Sequence, residues 1–190
     1  MNRRPLLAWT AALLVLALSF PALAAAAPSQ ADPEPGFFTI TGHVTAQGRT
    51  VDQVQTVSLS LRLDTKSGEV TVYPDMQTNE DGYFKFDVLG FSDDPYTWRV
   101  KGAQTLATSG DFKLGSVDLI QMGTQTTGDA NNDNVVNIVD FNIIRGTFGK
   151  DVGGDGYDAR ADFTGDGPVN IRDYNLMRGN FGNSGVDPLN

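Results

Sequence analysis

Apolar and polar side chains alternate along the stretch from residue 37 to residue 122. This period of two places one face of each strand against a core and leaves the other face polar. The apolar members of the alternating runs are Ile40 and Val44; Val57, Leu59, Leu61 and Leu63; Val70 and Val72; Phe84, Phe86 and Val88; Tyr96, Trp98 and Val100; and Val117 and Leu119. Six or seven short strands, separated by turns such as Lys66-Ser67-Gly68, predict an all-β sandwich for residues 37–122.

The pattern changes after residue 122, where two oxygen-rich loops of twelve residues are each followed by an apolar stretch with helical spacing. The loops begin at Asp129 and Asp162, 33 residues apart, and "FNIIRGTFG" after the first matches "YNLMRGNFG" after the second. A repeat of this kind marks one structural unit that is used twice. The spacing predicts a buried stripe on each helix, formed by Phe141, Ile144 and Phe148 in repeat one and by Tyr174, Met177 and Phe181 in repeat two.

Oxygen-bearing side chains occupy loop positions 1, 3, 5, 9 and 12, and position 7 offers its backbone carbonyl, as in loops that wrap Ca²⁺. These positions are Asp129, Asn131, Asp133, Val135, Asn137 and Asp140 in the first loop, and Asp162, Thr164, Asp166, Pro168, Asn170 and Asp173 in the second. Each loop brings three carboxylates, so the chain is predicted to bind two Ca²⁺. The Thr164 hydroxyl is a weaker ligand than the Asn131 amide, so the second loop is expected to release its ion first.

Both loops depart from a standard EF-hand, which has Glu at position 12 and a helix on each side. Position 12 is Asp in both repeats, and residues 123–128 have no apolar stripe from which to build an entering helix. Loop plus following helix, duplicated, resembles the dockerin domain over residues 127–183, on the segments "GDANNDNVVNIVDFNIIRGTFG" and "ADFTGDGPVNIRDYNLMRGNFG". The resemblance implies a small α domain with two calcium loop–helix repeats that binds a cohesin-type protein in a cellulosome-like assembly.

The resemblance also implies recognition residues at loop positions 10 and 11 and near the end of each helix, where familiar dockerins often carry Ser-Thr and Lys/Arg pairs. The residues at these places are Ile138, Val139 and Arg145 in repeat one and Ile171, Arg172 and Arg178 in repeat two. This surface is more apolar than the family pattern, and position 11 differs between the repeats. Two alternatives remain open: Ile138 and Ile171 pack between the repeats, or calcium is only a structural staple.

The predicted strands resemble the carboxypeptidase-regulatory or prealbumin-like family on "TITGHVT", "TNEDGYFKFDVLG" and "YTWRVKG". That family includes starch-binding-like relatives, so the resemblance implies carbohydrate binding as an alternative function. A sugar-stacking platform would draw on Tyr73, Tyr83, Phe91, Tyr96 and Trp98. Tyr96 and Trp98 fall on the inward face of their strand, which favours a place in the core.

The N-terminus predicts export. Residues 1–27 combine two arginines, an apolar run and a small-residue cleavage site, as in a secretory signal, and a Pro-rich linker covers residues 28–36. We therefore expect an extracellular protein with no membrane span in the mature chain, attached to the cell surface through a partner or free. Residues 184–190 form a short tail. The mature chain carries 12 basic and 23 acidic residues, which argues against binding to nucleic acid.

Catalysis has little support in the sequence. The chain has no cysteine and one histidine, His43, which excludes disulfides, thiol catalysis and a His-centred metal site. Paired carboxylates for glycoside hydrolysis are the remaining enzyme alternative, but most clustered aspartates lie in the two loops as candidate ligands. We expect a non-catalytic protein, and polysaccharide catabolism is implied only by the companions of dockerins.

Overall fold

A computed structural model describes residues 35–50, 52–65 and 69–190. The predicted signal segment, residues 28–34 of the linker and the Lys66-Ser67-Gly68 turn lie outside the described residues. Residues Pro33–Asn190 form one compact unit. Among the described helices, none has the length and apolar character needed to cross a membrane.

Seven strands precede two short helices, as the change of pattern after residue 122 predicts. The strands are β1 (Gly36–Ala46), β2 (Thr56–Leu63), β3 (Val70–Gln77), β4 (Tyr83–Gly90), β5 (Pro95–Gly102), β6 (Thr108–Lys113) and β7 (Leu119–Gln125). The helices are α1 (Ile138–Thr147) and α2 (Ile171–Gly179), with a 3₁₀ turn at Ala159–Ala161. Residues 36–125 are called the β module, and residues 127–183 are called the loop–helix module.

The strands form two sheets that share one core. One sheet has the order β4-β1-β7, with β1 antiparallel to β4 and parallel to β7. The other has the order β3-β2-β5-β6 and is antiparallel throughout. Alternate residues of both sheets are buried in the same cluster, which includes Ile40, Val44, Leu59, Leu61, Phe84, Phe86, Trp98, Val100, Phe112 and Ile120. Two sheets that bury their apolar faces against each other explain the period of two along the sequence.

Strand β6 was not predicted, because its sequence TSGDFK has a single large buried side chain, Phe112. Gly110 lies where the Trp98 ring covers the strand, and an added Cβ would come within 2.7 Å of the Trp98 Cζ2 atom. A bulky residue therefore does not fit at position 110. Because glycine has no side chain, the alternating pattern of apolar and polar residues does not reveal the strand here. Val117, predicted to lie in a strand, is instead part of the turn that connects β6 to β7.

The loop–helix module has its own small core. Its fully or nearly buried members are Ala130, Val136, Ile144, Ala161, Phe163, Val169 and Met177, and Leu106 of the β module belongs to the same cluster. The predicted apolar stripes are correct for Ile144 and Met177 but wrong for Phe148 and Phe181, which are 50% and 53% exposed. Helix α1 ends at Thr147 and helix α2 at Gly179, so both phenylalanines follow their helix and the helical spacing no longer applies to them.

The β module contacts both repeats. Strand β7 continues to Gln125, beyond the predicted end of the sandwich at residue 122, and leads almost directly into the first loop. The Asn180 side-chain amide at the end of α2 donates to Gln47 Oε1 at 2.7 Å. In the tail, Val186 N–H donates to the Ala107 carbonyl at 3.1 Å, and its carbonyl accepts from Arg99 Nε at 3.1 Å.

The core predicts a large difference between two leucines of the β module. Leu59 on β2 is 0% exposed and Leu89 on β4 is 56% exposed. Leu59→Ala should lower the free energy of unfolding by about 2–5 kcal/mol, because it removes buried methyl groups and leaves a cavity. The matched substitution Leu89→Ala should change it by less than about 0.5 kcal/mol. Urea unfolding followed by tryptophan fluorescence measures both, and equal effects would contradict this core assignment.

Candidate functional site

The position-1 aspartates organise both loops. Asp129 is 0% exposed, and its two carboxylate oxygens accept from the N–H groups of Asp133 at 2.9 Å and Asn134 at 2.8 Å. Asp162 is 7% exposed and accepts from Gly167 N–H at 3.0 Å. Each carboxylate therefore folds the turn of its own loop and brings a negative charge into a nearly buried site.

The position-12 aspartates close the loops on the helix that follows. Asp140 is fully buried; its Oδ1 accepts from Asn131 N–H at 3.1 Å and its Oδ2 from Asn137 N–H at 2.8 Å. Asp173 is also fully buried and makes the equivalent pair of bonds at 3.0 and 2.9 Å. Position 12 is the third residue of the helix, so one carboxylate joins the loop to the helix start.

The position-9 asparagines act as helix N-caps. Asn137 Oδ1 accepts from Val139 N–H at 2.7 Å, and Asn170 Oδ1 accepts from Arg172 N–H at 2.8 Å. With the aspartate three residues later, each completes a capping box. The loop spacing predicted these asparagines only as ligands, although Asn with Asp three residues later, ahead of an apolar run, is the signature of such a cap. Because Oδ1 of each asparagine already accepts a helix N–H, contact with an ion through a water molecule is favoured. Such contact is common at position 9.

Position 6 requires a left-handed backbone, and both loops provide it. Asn134 has φ +72° and Gly167 has φ +101°. Position 8 is apolar and fully buried in both, at Val136 and Val169. Each of these valines pairs through its backbone with the segment after the other helix: the Val136 carbonyl accepts from Gly182 N–H at 2.8 Å. The ends of the two repeats are thereby joined crosswise.

The second loop has the donor arrangement that a hard cation needs. Asp162, Asp166 and Asp173 each offer a carboxylate oxygen, and these oxygens lie within 4.8 Å of one another. The Thr164 hydroxyl lies among them, 3.1 Å from Asp173 Oδ1. Three like charges so close together repel unless a cation lies between them. An all-oxygen set of this kind fits Ca²⁺.

Two neighbours outside the second loop face Asp162. The Tyr157 hydroxyl donates to Asp162 Oδ2 at 3.3 Å. Burial raises the pKa of this hydroxyl, and the negative charge of Asp162 raises it further. The hydroxyl therefore keeps its proton and remains a donor. Arg49 of the β module donates to the Phe163 carbonyl at 3.3 Å. Burial lowers the pKa of the Arg49 guanidinium, while the Asp162 charge opposes that shift.

The first loop differs because a lysine of the β module contacts it. Lys101 Nζ lies 2.8 Å from Asp129 Oδ2. Within the described residues, the carboxylates of Asp129, Asp133 and Asp140 do not meet the 4.8 Å spacing that the second loop meets. This geometry favours weaker binding in the first loop, the opposite of the order of release expected from Thr164.

All six predicted partner-binding residues are on the surface. Ile138, Val139 and Ile171 are 58%, 46% and 56% exposed, and Arg145, Arg172 and Arg178 are exposed as well. The alternative that Ile138 and Ile171 pack between the repeats is therefore wrong. Arg172 forms an ion pair with Asp166 at 3.2 Å. The start of α2 is thus partly charged, while the start of α1 presents two adjacent apolar side chains.

The aromatic residues predicted as a sugar-stacking platform differ in exposure. Tyr96 and Trp98 are 7% and 5% exposed, which confirms their predicted inward orientation. Tyr83 is 38% exposed and stacks on His43, with ring centroids 4.4 Å apart. Both ring nitrogens of His43 are engaged, Nδ1 with Gln121 Oε1 at 2.7 Å and Nε2 with the Asp81 carbonyl at 3.1 Å.

Comparisons with known proteins bear on the loop–helix module first. A family described as Dockerin type I domain matches residues 127–181, so this segment is similar to that family. No curated protein matches the chain. The resemblance of the strands to the carboxypeptidase-regulatory or prealbumin-like family stays a prediction.

Two solved structures share the fold over a longer range. Both are crystal structures of type II cohesin–X–dockerin complexes from Acetivibrio cellulolyticus, one a C-terminal and the other an N-terminal interface mutant. Their matched chains are 17% and 16% identical to this chain, with TM-scores of 0.56 and 0.55. Each match covers 77% of this chain and 97% of the other. The shared fold therefore extends beyond residues 127–181 into the β module.

The site geometry predicts which carboxylate can be changed without unfolding the loop. Asp166 contributes to the oxygen cluster of the second loop but is exposed, and its hydrogen bond is to Arg172. Asp166→Asn should weaken calcium binding at the second loop by about 10–100-fold, because one ligand charge is lost. Asp155→Asn, an exposed aspartate between the repeats, is the matched control. Calorimetric titration reports both sites, and equal behaviour of the two variants would contradict this ligand assignment.

Proposed function

We propose that this chain is a secreted, non-catalytic calcium-binding protein that attaches its β module to a cohesin-type partner. The assembly would be extracellular, either polysaccharide-degrading or at the cell surface. One observation carries the proposal: within the segment that matches the dockerin family, large apolar side chains stand exposed at the start of both helices. Exposed apolar groups held by a rigid frame are typical of contact surfaces.

Two Ca²⁺ ions complete the proposed site. Asp129, Asp133 and Asp140 would provide the charge of the first loop, and Asp162, Asp166 and Asp173 that of the second. The carbonyls of Val135 and Pro168 and the side chains of Asn131 and Thr164 supply neutral oxygens. A bound cation would neutralise carboxylates that the fold buries and would fix the helix starts, which carry the exposed apolar residues.

The proposed partner surface is the start and the end of each helix. Ile138 and Val139 begin α1, Ile171 begins α2, and Arg145 and Arg178 lie in the last turns. An apolar centre with arginine at its edge is the composition that protein interfaces favour. The two matched crystal structures are complexes with a cohesin. At 17% and 16% identity, they support the fold of this chain, and the choice of a cohesin-type partner rests on the dockerin segment.

Two functional rivals remain testable. Of the predicted platform residues, Tyr83 and Phe91 are 38% and 42% exposed and remain candidates for carbohydrate binding, whereas Tyr96 and Trp98 are in the core. Purely structural calcium would leave Ile138 and Ile171 exposed without a partner.

Substitutions at the start of helix α1 test partner binding. Ile138→Asp combined with Val139→Asp should abolish or weaken at least a hundredfold the binding to a cohesin, because charges replace the apolar centre of the contact. Val54→Asp, at a half-exposed valine of the β module, is the matched control. Surface plasmon resonance against recombinant type I and type II cohesins, with calcium and with chelator, measures the effect.

Binding that depends on calcium and is lost only in the double variant supports the proposed function. If neither cohesin class binds while two Ca²⁺ still do, structural calcium is the remaining interpretation. Ile171→Asp tests the start of the second helix. If its loss of cohesin affinity adds to that of the Ile138→Asp, Val139→Asp variant, both helices contact the partner. A parallel polysaccharide binding assay of the wild-type protein tests the carbohydrate alternative.

A further inference from the structure

Strand β5 of the β module extends a lysine onto the first loop. Lys101 Nζ lies 2.8 Å from Asp129 Oδ2, 2.7 Å from Asn132 Oδ1 and 2.6 Å from the Thr105 carbonyl. The three ammonium protons thus have three acceptors, two of them in the loop and one in the β module. The side chains of Lys101 and Asp129 are 12% and 0% exposed, so water screens this ion pair poorly.

The position of this ammonium group matters because Asp129 is the first residue of the candidate calcium loop. A buried carboxylate needs a compensating charge, and Lys101 supplies one without any metal. The same carboxylate already accepts the N–H groups that fold the turn, at Asp133 and Asn134. Lys101 therefore stabilises the loop in the state that has no calcium.

The second loop is built differently at the equivalent aspartate. Asp162 Oδ2 accepts from the Tyr157 hydroxyl, a neutral donor, at 3.3 Å. Arg49, the cation that the β module places nearby, directs its Nε to the Phe163 carbonyl instead of to the carboxylate. Its other hydrogen bond is to the Gln104 side chain. The second loop also has an ion pair, between Arg172 and the ligand Asp166, but the Arg172 side chain is 74% exposed, whereas that of Lys101 is 12% exposed. The two repeats thus have matching ligand positions, and only the first has a buried cation contact to a ligand carboxylate among the described residues.

We infer that Lys101 sets the calcium affinity of the first site, keeping that loop folded without calcium and making it the weaker of the two sites. The inference rests on the proposed calcium binding and deepens it. A monovalent cation beside a ligand repels an incoming Ca²⁺, and it stabilises the state with which calcium competes. Both effects lower affinity. The two sites then fill at different calcium concentrations, with the second loop first.

Three variants at position 101 separate the effect of charge from that of side-chain shape, and a fourth variant elsewhere serves as a control. Lys101→Met removes the charge but keeps an aliphatic side chain, Lys101→Gln also keeps a donor, and Lys101→Arg keeps the charge. Lys113→Met, at an exposed lysine at the far end of strand β6, controls for net charge. Calcium titration in the Asp166→Asn background isolates the first site.

Lys101→Met and Lys101→Gln should bind calcium at the first site about tenfold more tightly or better, while Lys101→Arg and Lys113→Met should stay within about threefold of the parent. In chelator, Lys101→Met should melt at a lower temperature than the wild type, and saturating calcium should close or reverse that difference. If Lys101→Met does not fold in chelator, Lys101→Gln gives the affinity.

Unchanged or weaker calcium binding at the first site in both neutral variants would overturn the inference and show that Lys101 only orients Asp129. A wild-type protein that binds no calcium would contradict the proposed function instead. The two failures are therefore distinguishable in the same titration. An equal gain in affinity in Lys113→Met would also overturn the role of Lys101, since general charge would then explain the effect.

Discussion

Burial of carboxylates is the constraint on which the rest of the loop–helix module depends. Asp129, Asp140 and Asp173 are fully buried, and a buried charge is costly unless hydrogen bonds and an opposite charge compensate it. The backbone N–H groups of each loop give part of that compensation, so the loops fold around their own aspartates. The remaining charge needs a cation, which explains why twelve-residue loops rich in aspartate can be structural units and not flexible turns.

The same constraint explains how a small module without disulfides holds two helices of 10 and 9 residues. Helices this short are marginal in isolation, because each must offset a costly nucleation step. Here Asp140 and Asp173 fix the first turn of each helix through a capping box, and the opposite ends pack on Val136 and Val169. The β module adds a further anchor: the backbone carbonyl of Gln104 accepts from Gly128 N–H at 3.1 Å and Asp129 N–H at 3.2 Å, just where the first loop begins. The proposed calcium binding would therefore be linked to folding through the same side chains.

Sequence patterns identified features that repeat at a fixed spacing. Alternation found the core strands, and the match between the loops located the cluster of Asp162, Asp166 and Asp173. The strand at Gly110 was missed because a close approach by an indole ring leaves no apolar signal, and Phe148 was misplaced because a helix end is not visible in its spacing. The contact between Lys101 and Asp129 joins residues 28 positions apart. No local pattern indicates such a pair, since it depends on how β5 meets the first loop.

The β module breaks the symmetry that the sequence repeat suggests. Asn180 at the end of α2 donates to Gln47 of the β module, whereas Thr147, its equivalent in α1, accepts from Asp158 N–H at 2.9 Å within the loop–helix module. Gly48, at φ +83°, lies so close to Leu176 that an added Cβ would come within 2.4 Å of it. The two helices therefore differ in their surroundings, since the β module contacts α2 at Leu176 and at Asn180, just after its end. A partner that contacts Ile171 approaches a helix whose far end the β module already contacts. Equal affinity of the two faces for one partner does not follow from the repeat, because the contacts that distinguish them lie outside it.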